Sequence, residues 1–147
     1  MGAVHTGRRA LAICAVMAAA AAAGCSEQTE PSAAALCREL VAAQGLDESL
    51  AVADAEALAG QAEALRRAAS VAPAEVEPAV RTLSTAIDAL TGPLATATGD
   101  RRETLREELA ARQDQADELT AAGRTVSEWS ATNCGLDLDS GTTVPTT

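Results

Sequence analysis

The stretch Val76-Glu-Pro-Ala-Val-Arg-Thr-Leu-Ser-Thr-Ala-Ile-Asp-Ala-Leu90 decides the fold. Its large apolar residues, Val76, Val80, Leu83, Ile87 and Leu90, are spaced 4, 3, 4 and 3 apart and form one narrow stripe on a helix. A strand would alternate instead. A helix with a single apolar stripe must bury it against other helices or a sheet, and strand formers are scarce here. Of the 147 residues 37 are Ala, the best helix former, while Phe and Tyr are absent. The expected fold is therefore all-α: an Ala-rich antiparallel bundle of about four helices in up-down order, with thin seams.

Outward from this stretch, punctuation divides the chain into helices over 32–44, 48–71, 73–91 and 101–133. Gly45 suits a left-handed helix end and Asp47 a cap for the next helix. Pro73 fits a first turn, with Glu75 and Glu77 near the positive end of the helix dipole. Gly92-Pro93 is expected to stop the third helix, and Asp100 with Glu103 resembles a capping box for the fourth. Leu105, Leu109, Ala116, Leu119 and Val126 carry the fourth seam, but Arg112 and Gly123 interrupt it. Because 33 residues would span about 50 Å of helix, a bend near Gly123 is expected. In the second stretch Leu50, Leu58 and Leu65 stand among many alanines, which predicts close helix approach.

The N-terminal residues read differently. His5, Arg8 and Arg9 precede an apolar run from Ala10 to Ala23, followed by Gly24 and Cys25, in the outline of a secretory leader. Fourteen helical residues reach about 21 Å, short of the roughly 30 Å of a bilayer core, so the run does not read as a permanent span. The Arg8-Arg9 pair raises twin-arginine export, although a bulky apolar residue just after the pair is missing. The junction Ala22-Ala23-Gly24-Cys25 resembles a lipobox, with Ala22 where Leu is commoner. The resemblance implies that Cys25 is lipidated on sulfur and becomes the new N-terminus, held by two or more acyl chains. Ordinary secretion, with cleavage after Ala21 or Ala23, is the alternative; it would leave Cys25 an odd free thiol. The chain thus divides into a signal peptide at 1–24, a polar tether at 25–34, a helical domain at 35–135 and a structureless Thr-rich tail at 136–147, which could carry O-glycans.

Two further cysteines test the bundle. Cys37 lies in the first turns of the first helix and Cys134 at the end of the last. In an up-down bundle those helices run antiparallel and the two ends are neighbours, so an exported chain is expected to join them by a disulfide. Two unpaired buried thiols are the alternative. Cys14 lies in the leader. Taken together, the lipobox, the Cys in the first helix, the helix start Ala72-Pro73-Ala74-Glu75-Val76 and Cys134-Gly135 after Trp129 resemble small actinobacterial lipoproteins of unknown function. That resemblance implies a helical extracytoplasmic domain stapled from first helix to last, and carries no activity with it.

Chemistry is excluded more readily than assigned. After the leader there is no His, Lys or Tyr, which removes the usual general bases, Schiff-base amines and imidazole ligands. Carboxylate groups such as Glu75/Glu77, Glu107/Glu108 and Asp114/Asp117/Glu118 read as solvated faces. The Asp137 to Gly141 run lacks the glycine position and closing Glu of a calcium loop. No catalytic residue, metal or cofactor is expected. Loss of the leader leaves nine arginines against 21 carboxylates, a net charge of −12 that disfavours nucleic acid. Arg66-Arg67 and Arg101-Arg102 read as partners of nearby acids. Trp129 is the candidate contact surface, with core packing as its competing role.

The sequence therefore predicts a non-enzymatic, envelope-anchored lipoprotein. Its helical domain would present a surface to a protein partner or an envelope polymer; the alternative is a carrier holding a lipid or small apolar ligand between helices. Mass spectrometry of the mature N-terminus from membranes should find acylated Cys25, and Cys25→Ala should abolish that species. Unacylated wild-type protein in the medium would overturn the anchor.

Overall fold

In a computed structural model of the chain, residues 30–138 are described together with the backbone of 142 and 143. The leader, Cys14 and the first half of the tether, including Cys25, lie outside the described residues. Among the described residues six α-helices follow one another: α1 (Ala33–Ala42), α2 (Leu46–Val52), α3 (Ala55–Val71), α4 (Glu77–Thr96), α5 (Arg101–Ala110) and α6 (Ala116–Cys134). The all-α bundle expected from the sequence is what forms.

The directions of the helices follow from contacts at their ends. The Ser32 amide, at the start of α1, donates to the carbonyl of Val71 at the end of α3, so these two run antiparallel. A tight turn joins α3 to α4, with the amides of Val76 and Glu77 both donating to Pro73 O. Trp129, late in α6, donates to Glu75 just before α4, so α4 and α6 oppose each other. Cys37 and Cys134 close the ring with a disulfide across a Cα separation of 5.5 Å, which lies in the usual range. Helices α1, α3, α4 and α6 therefore form an up-down ring, and α2 and α5 cover its other end.

The boundaries have local causes. Ser32 Oγ accepts from the Ala35 amide at 3.2 Å, Asp54 from the amides of Glu56 and Ala57 at 3.1 Å, and Asp100 from Arg102 at 2.9 Å. Gly45, at φ 78°, supplies the left-handed residue between α1 and α2. Asp47, expected to cap the second helix, is instead inside α2, which starts at Leu46.

Four other expectations are corrected. The second stretch is two helices, because Ala53 turns left-handed at φ 54°. That strain costs on the order of 1 kcal/mol. It is offset where the Ala53 methyl enters the core and where Asp54 caps α3. The third helix begins at Glu77 rather than 73, with Pro78 in its first turn, and it runs through Gly92-Pro93 to Thr96. In the fourth stretch the break falls at Arg112, followed by a 3-10 turn at Gln113–Gln115, while Gly123 stays inside α6. The step lets α5 cover the far half of α4 and α6 the near half. Finally, Leu136 is buried past the expected domain end at 135. Gly135, at φ 61°, turns the chain back, Leu136–Asp137 pairs antiparallel with Thr142–Thr143, and Ser130 Oγ donates to Leu136 O at 3.3 Å.

The core falls into two clusters. One gathers Leu36, Leu40, Val76, Val80, Val126 and Leu136 around the disulfide end. The other gathers Leu58, Leu65, Ile87, Leu90, Leu94 and Leu105 at the opposite end. Replacing both Cys37 and Cys134 with Ser opens a loop of 97 residues, for which chain entropy sets a ceiling of about 4.7 kcal/mol. Urea unfolding should show a loss of about 2–4 kcal/mol for this variant. An unchanged midpoint would show that packing alone closes the ring.

Candidate functional site

Several charged groups named from the sequence have structural partners, but Arg101 and Arg102, expected to pair with nearby acids, form no ion pair among the described residues. Arg66 pairs with Asp88 at 3.4 Å, and Arg67 with Glu39 at 2.8 Å and Glu63 at 3.4 Å. Glu77 pairs with Arg81 and Glu103 with Arg106, so Glu103 does not reach back to complete a capping box. Trp129 packs half-buried on the first core cluster, and its Nε1 donates to Glu75 at 3.3 Å. Of the acidic groups, Glu75 accepts across helices from Trp129, Glu77 and Glu108 pair within four residues, and Glu107, Asp114, Asp117 and Glu118 have no side-chain partner among the described residues. No cluster of metal-ligating side chains occurs among the described residues.

The feature that does gather side chains from several elements is a cavity of about 340 Å³ between α4, α5 and α6, near the junction of the two core clusters. Leu83, Ile87 and Leu90 of α4 form its floor, with Leu50 of α2, Leu109 of α5 and Leu119 of α6 as walls. Its origin is the 3-10 step. After Ala110 the chain swings off the α4 stripe, and α6 returns to the core only at Ala122 and Val126. Leu109 is left 48% exposed, although it lies on the seam. Ala86 and Ala116 line the gap with methyl groups too small to close it.

Arg112 stands at the edge of this cavity and also lines a more polar hollow next to it, together with Arg81, Thr82, Thr85, Gln115 and Glu118. The two share Ala86, Arg112 and Leu119. Arg112 is held by Pro93. A proline inside a helix has no N–H, so the carbonyl four residues earlier loses its donor. That carbonyl belongs to Ala89, and Arg112 Nη2 donates to it at 3.3 Å. On its other side Nη1 donates to Glu108 O at 2.7 Å and to Glu108 Oε2 at 2.5 Å. This accounts for the continuation of α4 past Gly92-Pro93: the orphaned acceptor is satisfied from another helix.

Sequence reasoning noticed Arg112 only as an interruption of a seam and missed the cavity. The signal was present, since a buried-face Arg and an interior Pro each demand a partner. Compared with protein-family models, curated proteins and solved structures, the chain has no match. Its function is read from this geometry.

A double-mutant cycle tests the Pro93 link. Pro93→Ala restores an amide to bond Ala89 O, so Arg112→Gln should destabilise the wild type by about 1 kcal/mol more than it destabilises Pro93→Ala. Strictly additive losses in urea unfolding would break the proposed coupling.

Proposed function

We propose that this chain is an extracytoplasmic lipoprotein, anchored through Cys25, whose helical domain acts without catalysis as a carrier of a small apolar molecule. The observation that carries the reading is the apolar cavity on α4. Its 340 Å³ is more than twice the roughly 150 Å³ that holds benzene in an apolar lining, and lies within the range of about 300–1,000 Å³ common for small-ligand sites. Apart from Arg112 and Gln113 at the 3-10 step, its walls are leucine, isoleucine and alanine side chains from four helices, so a ligand would replace contacts that the helices do not make with one another.

Location supports the same reading. The Cys37–Cys134 disulfide is compatible with an oxidising, extracytoplasmic compartment. No helix among the described residues is long and apolar enough to cross a membrane. The rival reading, a surface for a protein partner or envelope polymer, relied on Trp129 as its anchor. That side chain is half-buried and hydrogen-bonded, which weakens its claim.

A neutral fluorescent probe, N-phenyl-1-naphthylamine, should bind the purified full-length chain with one site and gain emission. Ala116→Phe, which fills the cavity from the α6 side, should remove most of that gain. Equal probe binding by wild type and variant, or none by either, would overturn the carrier proposal.

A further inference from the structure

We infer that the ligand is a single-chain amphiphile ending in a carboxylate, its tail in the α4 cavity and its headgroup on Arg112; this rests on the carrier reading above. Size sets the first limit. A cavity of 340 Å³ sits at the low end of the small-ligand range of about 300–1,000 Å³, which suits one acyl chain and not the paired chains of a membrane phospholipid.

The headgroup follows from the donors at the mouth. A guanidinium carries five N–H donors and no acceptor. Arg112 uses two on Glu108 and one on the Ala89 carbonyl, which leaves its Nε–H and one Nη2–H without a partner among the described residues. Its side chain is only 23% exposed, so those donors are partly shielded from water, and a bond made to them is correspondingly stronger. The adjoining hollow adds Arg81, whose Nε and Nη2 donate to Glu77, and the hydroxyls of Thr82 and Thr85, which make no hydrogen bond among the described residues. Glu118 is the acid there, and because Arg81 is paired with Glu77 and Arg112 with Glu108, the hollow carries no excess of positive charge. What sets the mouth apart is the free fork of donors on Arg112 beside an apolar slot, not a surplus of charge. A carboxylate matches it by accepting two parallel bonds, and an uncharged alcohol does not.

The attachment of Arg112 to Ala89 O complicates a simple deletion, because Arg112→Gln also strips a helix carbonyl of its donor. Pro93→Ala removes that difficulty. In the Pro93→Ala background the carbonyl is bonded by the helix, and Arg112→Gln then tests the headgroup contact alone.

Calorimetric titration of the full-length chain, freed of bound lipid, with decanoate, 1-decanol and acetate tests the assignment. Decanoate should bind at least about tenfold more tightly than 1-decanol, and acetate should not bind. Adding Arg112→Gln to Pro93→Ala should erase the decanoate preference and leave 1-decanol affinity unchanged. Ala86→Phe and, separately, Ala116→Phe should abolish binding of both long-chain probes. Equal affinities for decanoate and 1-decanol, both lost in the filled-cavity variants, would overturn the carboxylate and leave the carrier standing. Binding of neither, or binding indifferent to both Phe variants, would overturn the carrier itself.

Discussion

The bond between Cys37 and Cys134 is the constraint on which the rest of the bundle depends. Helix α1 has ten residues and buries only Ala35, Leu36 and Leu40, a length at which an isolated helix is marginal in water. Its seat between α3 and α6 therefore needs more than its own packing. The disulfide supplies it by holding the opening turns of the domain against its last helical residue. With that end closed, Gly135 can fold Leu136 back into the cluster that contains Leu36 and Leu40. The Ser130 hydroxyl then takes up the Leu136 carbonyl. One covalent link thus orders both ends of the domain.

The opposite end has no such link, and there the consequences of an Ala-rich composition are visible. Seams built from alanine let helices approach closely, but they cannot fill a space that a loop or a step in the chain opens. Where α5 passes into α6, the facing positions are Ala86 and Ala116, and no large aromatic is present to bridge them. The core divides into two clusters and a cavity remains beside their junction. An apolar pocket that opens to solvent leaves its wall side chains without the packing contacts of a closed core. A ligand that binds only the folded chain returns those contacts as added stability, growing with the logarithm of its concentration over Kd.

Legibility in the sequence followed how local each cause was. The stripe from Val76 to Leu90 needs only the helical period, and apart from the half-buried Leu83 it is buried as read. The caps at Asp100 and the left-handed Gly45 are likewise local events. The Cys37–Cys134 pairing is long-range, yet up-down order and a shared end of the bundle were enough to predict it. What was not legible depends on neighbours. Ala53 adopts a conformation that Ala disfavours because its methyl enters the second cluster and Asp54 caps the next helix. Gly123 stays helical because Ala122 and Val126 on either side of it are packed. The helix survives Pro93 because a side chain 19 positions later supplies the missing donor, and no window of local sequence contains both residues.

That last pairing also joins fold to site. Pro93 removes a donor from α4, the vacated carbonyl holds Arg112 by Nη2, and Glu108 holds the same guanidinium by Nη1. Fixed at two points, the group gives up little rotational freedom when it meets a ligand, which is how a rigid scaffold sharpens a binding site. A lysine at 112 could not replace it. Its three donors radiate from a single nitrogen and lack the planar fork of arginine. An ammonium drawn toward Glu108 would leave either the Ala89 carbonyl or the headgroup unbonded, so continuity of α4 and recognition at the cavity mouth would compete for one cation. In the proposed complex the guanidinium would serve both, because its donors are spread over three nitrogens.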